Sequence, residues 1–305
     1  MAKIAFLFPG QGAQYVGMGK DFYDTYKVCK NTYELASESS GLDVAKLCFE
    51  ENEQINITEY TQIAMLATEV AILRAIEECG IKPDVTAGLS LGEYGALAAS
   101  GVMSDKALFY TIRKRGIFMQ EAVPTGGAMS AVLGLDTDTI ERVCKDIEGQ
   151  VSIANYNCPG QIVITGEENA VRAAGEKLTE AGAKRVVPLN VSGPFHSPML
   201  QYAGDRLAGV LQTVSINKPE IPYISNVTAD YVKDEALVKD LLSRQVASSV
   251  RWQQSIEKMI EDGIDTFVEI GPGKTLSGFM RKINRNVTVM NIEKVEDLEK
   301  LESIK

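Results

Sequence analysis

The chain has 305 residues, with 31 Lys and Arg against 41 Asp and Glu, a formal charge of −10, 45% hydrophobic residues and one histidine. These proportions exclude wholesale disorder, and the acidic excess argues against nucleic acid or an anionic membrane surface as the partner. With a single imidazole there is no multi-histidine metal site and no histidine relay, so any histidine chemistry belongs to His196.

Residues 3–8 (KIAFLF) read as a short buried strand broken at Pro9-Gly10. Helices are expected over 21–38 and 58–79. The second has Thr58 as N-cap, Gly80 as its stop, and a wide apolar face formed by Ile63, Leu66, Ala67, Val70, Leu73 and Ile76. A strand over 85–89 runs directly into Ser90, followed by a small-residue helix over 91–99 and a longer one over 104–123. Pro124-Thr125-Gly126-Gly127 reads as a hinge. Beyond it come strand 128–134, helix 136–148, strands 151–155 and 161–165, helix 167–181 and strand 184–191, the βαββαβ order of a ferredoxin-like unit. From Gly193 the α/β rhythm resumes: helix 198–213, strand 221–226, helices 234–246 and 252–262, strand 266–270, helix 275–284, strand 287–291 and a last helix.

The expected fold is α/β, a hydrolase-like core with a central parallel sheet plus an inserted small ferredoxin-like domain. The core is discontinuous over 1–124 and 193–305, and the insert occupies 125–192. A cleft between the two is the natural place for a site. The five cysteines are scattered and form no C-x-x-C, so a disulfide framework or zinc site is not expected. No stretch reaches the roughly 20 apolar residues of a membrane helix, and a cytoplasmic monomer is expected.

The sharpest local pattern is Gly88-Leu89-Ser90-Leu91-Gly92, a G-x-S-x-G between an apolar strand and a helix. That is the context of a nucleophile elbow: the glycines permit close approach of strand and helix while the hydroxyl is held outward. The N–H of Leu91 then faces a developing oxyanion at a helix N-terminus. A serine hydroxyl needs a base. His196 lies in a proline-bracketed loop, Gly193-Pro194-Phe195-His196-Ser197-Pro198, at the return to the segment that carries Ser90. Asp105, Glu121 and Asp136 are available as an acid partner, but none ends a convincing strand, so the acid stays unassigned. Gly271-Pro272-Gly273-Lys274-Thr275 resembles the end of a phosphate loop but has Val268 where the first glycine is required. Gly10-x-Gly12 likewise lacks the third small residue of a dinucleotide fingerprint, having Tyr15 there.

Phe8–Gln14 (FPGQGAQ), the elbow through Tyr94, Arg113–Gly116, the His196 loop and Glu269–Gly273 stand in the order seen in malonyl-CoA:acyl carrier protein transacylases, and the resemblance spans nearly the whole chain. It implies that Ser90 is acylated, that His196 is the general base, and that the N–H groups of Gln11 and Leu91 form the oxyanion hole. It further implies that Arg115 clamps the free malonyl carboxylate and that the main-chain carbonyl of Gln245, not an acid, orients the histidine. Gln62, Met119 and Phe195 would line the pocket. No bound cofactor is implied: malonyl-CoA is substrate, and the acyl carrier protein brings its own phosphopantetheine. One departure is Leu89, where the family commonly has a histidine.

The implied activity is ping-pong malonyl transfer to carrier protein, supplying fatty-acid synthesis. Two rivals share parts of this pattern. One is a serine thioesterase or carboxylesterase, which would hydrolyse its acyl-enzyme. The other is a non-catalytic carrier- or CoA-binding subunit, which would bind without being acylated. Carrier proteins are acidic, so an acidic enzyme needs a local basic docking surface, for which Lys274, Arg281, Lys282 and Arg285 are the candidates.

Overall fold

The computed structural model describes residues 2–304. In chain order the first elements are β1 (Ile4–Phe8), α1 (Lys20–Thr25), α2 (Lys27–Ser40), α3 (Val44–Phe49), α4 (Thr58–Glu78), β2 (Val85–Gly88), α5 (Glu93–Ala99) and α6 (Asp105–Ala122). They are followed by β3 (Gly127–Leu133), α7 (Thr137–Asp146), β4 (Val151–Cys158), β5 (Gln161–Glu167), α8 (Glu168–Glu180) and β6 (Arg185–Pro188). The last are α9 (Gln201–Gln212), β7 (Tyr223–Ile224), β8 (Tyr231–Val232), α10 (Val238–Gln245), α11 (Trp252–Glu261), β9 (Thr266–Ile270), α12 (Thr275–Ile283) and β10 (Thr288–Ile292).

The larger sheet has the order β10-β9-β1-β2-β7-β8, parallel throughout except for the antiparallel β7–β8 pair at one edge. Every residue of β1 is buried, because helices cover both faces of a parallel sheet. The alternation of the strand divides the core in two. Ile4, Phe6 and Phe8 join the cluster built with α2, α4 and α6, whereas Ala5 and Leu7 face Trp252, Ile256 and Met259 of α11 and Leu276 and Met280 of α12. The second sheet is antiparallel with the order β4-β5-β3-β6, the arrangement a βαββαβ unit adopts, and α7 and α8 share its core. A backbone seam joins the two sheets' surroundings: Val250 N–H donates to the Ala154 carbonyl (2.7 Å) and Tyr156 N–H donates to the Val250 carbonyl (2.9 Å). No helix among the described residues is long and apolar enough to cross a membrane.

Several local expectations need correction. The single helix expected over 21–38 is two, α1 and α2, because Tyr26 between them is extended (φ −112°, ψ 124°). Ile57 is the N-cap of α4, and the Thr58 hydroxyl instead accepts from Gln11 Nε2 (3.1 Å) and lies 2.7 Å from the Ser192 hydroxyl. The strand expected over 221–226 shortens to β7 and pairs with β8, which hydrophobic patterning did not reveal. The final helix is a 3-10 segment, Val295–Ile304.

Candidate active site

Ser90 leaves the C-terminal end of β2 with a left-handed backbone, φ 57°, an uncommon and strained conformation for a residue with a side chain. Two glycines make this possible. A Cβ on Gly88 would lie 1.9 Å from the Gly92 backbone, and one on Gly92 would lie 2.2 Å from the Phe8 carbonyl oxygen. The turn after the strand is therefore pressed directly against β1. Gly10 is similarly constrained, since a Cβ there would meet the Leu89 carbonyl at 2.7 Å and its side chain at 2.8 Å. Leu89 thus packs on the Pro9–Gly12 loop and lines the cleft beside it.

His196 is the second left-handed residue of the site, φ 59°, in a loop fixed by the bond from the Ser197 hydroxyl to the Pro194 carbonyl (2.7 Å). Its Nε2 lies 2.7 Å from Ser90 Oγ, and its Nδ1 lies 2.9 Å from the main-chain carbonyl oxygen of Gln245. A carbonyl only accepts, so Nδ1 carries the proton and Nε2 presents its lone pair to the serine hydroxyl. The ring is 4% exposed, and burial, reinforced by the charge of Arg115, pushes its pKa down to about 4.

Arg115, from the middle of α6, is 1% exposed. Its Nη1 donates to Gln62 Oε1 (2.7 Å), and its Nη2 donates to Gln245 Oε1 (2.9 Å) and to Ser90 Oγ (3.3 Å). Its Nε has no partner among the described residues. Gln62 also donates to Met119 Sδ (3.4 Å), which ties α4 to α6 behind the serine. A fixed positive charge therefore lies within reach of the nucleophile in a desolvated wall. The site opens into a cleft of about 240 Å³ between the core and the second sheet, lined on one side by Gln11, Leu91, Phe195 and His196 and on the other by Met129, Asn155 and Asn157. The Gln11 N–H has no partner among the described residues, and the Leu91 N–H lies in the first helical turn, where such groups lack intrahelical acceptors.

The acyl transferase domain family matches residues 5–300 of this chain. The malonyl CoA-acyl carrier protein transacylase of Bacillus subtilis is 47% identical over 304 residues, covering 98% of this chain and 96% of that protein. The chain belongs to this transacylase family. The Staphylococcus aureus transacylase is 39% identical, with 98% of each chain covered. Among solved structures, the Clostridium perfringens transacylase superposes with a TM-score of 0.96 at 46% identity, covering 99% of this chain and 97% of that one. A malonyl-transacylase in complex with a type II PKS acyl-carrier protein superposes with a TM-score of 0.96 at 38% identity, with full coverage of both chains.

The structure brings together Ser90, His196, Arg115, Gln245, Gln62, Met119, Phe195, Gln11 and Leu91 in or against one cleft. The four basic residues named from the sequence stand apart from that centre and are exposed. Lys274 precedes α12, Arg281 and Lys282 lie in its last turn, and Arg285 follows it. The inner face of the same helix, through Leu276 and Phe279, lines the cleft, so the chain carries these basic residues beside the cleft. At the glycine-rich segment before α12, Glu269 of β9 accepts the N–H groups of Leu276 (2.9 Å) and Ser277 (2.8 Å), so these helix-start donors are already paired.

Two residues escaped the sequence reading. Asn226, just past the end of β7, accepts the Ser90 N–H (2.7 Å) and donates to the Gly88 carbonyl (2.7 Å), bracing the elbow. Glu93, two residues past the elbow's Leu91, is fully buried and accepts from Asn226 N–H (3.1 Å) and Gln245 Nε2 (2.7 Å). A glutamate inside an otherwise small and apolar helix, Glu93–Ala99, was the one available signal.

Proposed function

We propose that this chain moves a malonyl group from malonyl-CoA to the phosphopantetheine thiol of an acyl carrier protein through a malonyl-Ser90 intermediate. The observation that carries the assignment of substrate is the buried Arg115 guanidinium, 3.3 Å from Ser90 Oγ. A planar cation at that depth matches the carboxylate at the far end of a malonyl group and leaves a neutral acyl group with nothing to offer it.

In the first half-reaction Ser90 Oγ attacks the thioester carbonyl as His196 Nε2 takes the hydroxyl proton. The N–H groups of Gln11 and Leu91 receive the oxyanion. The C–S bond then breaks, and the imidazolium returns the proton to the departing CoA sulfur. In the second half the carrier thiol gives its proton to His196, its sulfur attacks the serine ester, and the C–O bond breaks as Ser90 regains the proton. The Gln245 carbonyl holds the ring and stabilises the transient imidazolium without an acid, which removes the need for the missing aspartate. Met119 and Phe195 close the apolar wall around the acyl chain.

Incubation with malonyl-CoA alone is expected to leave a malonyl mass increment on the peptide containing Ser90, persisting until carrier thiol is added. No adduct sinks the mechanism; an adduct lost to water at the same rate with or without carrier makes the protein a thioesterase. We assign carrier docking to Lys274, Arg281, Lys282 and Arg285. Arg281→Glu with Lys282→Glu is expected to raise the apparent KM for carrier protein about fivefold at low salt. The KM for malonyl-CoA should stay unchanged and the difference should shrink as salt is added. Equal carrier KM values at low salt would place docking elsewhere.

A further inference from the structure

Glu93 and Arg115 are both fully buried and close enough for each to feel the other's charge, yet they make no direct ion pair. The Gln245 side chain stands between them. Its Nε2 donates to Glu93 Oε2 (2.7 Å) and its Oε1 accepts from Arg115 Nη2 (2.9 Å). The amide dipole is thus aligned with both charges: the NH2 end faces the carboxylate and the carbonyl end faces the guanidinium. Reversing that amide would set a carbonyl oxygen against a carboxylate and an NH2 against a cation, so the carboxylate fixes the orientation.

A direct Glu–Arg bridge would occupy two guanidinium N–H groups in fork-to-fork fashion. Holding the counter-charge one amide away satisfies the buried cation and leaves donors on the Ser90 side. The same carboxylate oxygen accepts the Asn226 N–H, and Asn226 in turn holds the Ser90 N–H and the Gly88 carbonyl. Gln245 Nε2 also donates to the Ser90 carbonyl (2.8 Å), while its main-chain carbonyl takes His196 Nδ1. Nucleophile, base and carboxylate clamp therefore each lie two hydrogen bonds from a single carboxylate, through Gln245 or Asn226.

We propose that Glu93 is a positioning residue for acyl transfer, its ionised carboxylate aiming Arg115 through the Gln245 amide and holding the Ser90 elbow through Asn226. This rests on the malonyl-transfer reading of the site. Burial raises the Glu93 carboxyl to about 7, against the opposing pull of Gln245, Asn226 and Arg115. The other titratable groups facing it are Tyr94 on its own helix and Tyr223 from β7, both held above their ordinary range by burial and neutral at this pH. Glu69 and Glu269 are buried carboxyls that are raised as well, so an ionisation near pH 7 in the free enzyme is assigned to Glu93 by its disappearance in Glu93→Gln.

Glu93→Gln keeps the shape and an amide oxygen for the two donors that converge on Oε2, but it removes the negative charge that orients the Gln245 amide and offsets Arg115. Its kcat for malonyl transfer is expected to fall about 10- to 100-fold, with KM for malonyl-CoA held within about threefold. In wild-type enzyme kcat/KM should show a partial step, rising with pH through about 7, that Glu93→Gln lacks. Loss of that step is not expected of a general loosening of the fold. An unchanged kcat in the variant, or a wild-type profile flat across pH 6–8, overturns the role of Glu93 while malonyl-Ser90 still forms. Absence of the wild-type adduct instead overturns the malonyl-transfer reading and this role with it.

Discussion

Arg115→Ala is expected to lower kcat/KM for malonyl-CoA by about 10²–10³-fold while leaving acetyl transfer unchanged or faster. A paired, charge-assisted contact to a carboxylate in a site this dry is worth about 3–4 kcal/mol, and each 1.4 kcal/mol is tenfold. The arginine is 1% exposed, so solvent cannot substitute for it. With a neutral acyl group in place, the guanidinium gains no new acceptor, and removing it costs that substrate little. Arg115→Lys separates charge from geometry: it retains a cation but not the planar fork, and an intermediate loss is expected. Steady-state kinetics with malonyl-CoA and acetyl-CoA on the same preparations checks this. A malonyl-to-acetyl ratio equal to that of wild type would remove Arg115 from substrate recognition.

His196→Ala is expected to lower kcat by about 10³–10⁴-fold, because the chain holds no second imidazole to recruit. The pH profile carries a sharper expectation. Burial and the Arg115 charge hold the folded His196 at about 4, so the neutral base is present across the neutral range and is lost only as pH falls through about 4. The profile of kcat/KM should therefore have two parts on its acid side: the partial step near 7 assigned to Glu93, then the complete loss near 4. Complete loss centred near 6.5 would contradict the depth of burial seen for the ring. The sign for stability follows from the same shift. The unfolded chain takes up the proton near 6.5, the folded one does not until about 4, and this contribution to stability is lost as pH falls between them.

What could be seen in the sequence was what is encoded locally. The run from Ile4 to Phe8 and the glycines around Ser90 are short-range consequences of burial on two faces and of a turn pressed against a strand, and both are legible as patterns. The family resemblance added the residues that local chemistry could not connect, such as Gln245, which lies 49 residues from His196. Glu93 remained hidden because its partners, Asn226 and Gln245, lie 133 and 152 residues away, and no spacing rule reaches that far. Thr58 misled for a related reason: a hydroxyl at a helix start is usually a cap, but here a side chain from the Pro9–Gln14 loop claims it. The break at Tyr26 had no glycine or proline to announce it, so two short helices read as one. Helix α4 read as one-sided because its apolar spacing is regular, yet Thr61, Ala64, Thr68 and Ala75 on its other side are buried as well.

The seam between Val250 and the β4 residues Ala154 and Tyr156 bears on how acyl preference can diverge among proteins of this shape. Main-chain bonds fix the spacing there regardless of which side chains are present. Mutation cannot easily widen the cleft along that border without breaking two backbone bonds at once. Evolution of a larger or a neutral acyl group is thereby channelled into the side chains that face the gap, above all Met119, Phe195 and Arg115, so that specificity can drift by single substitutions while the frame of the reaction stays the same.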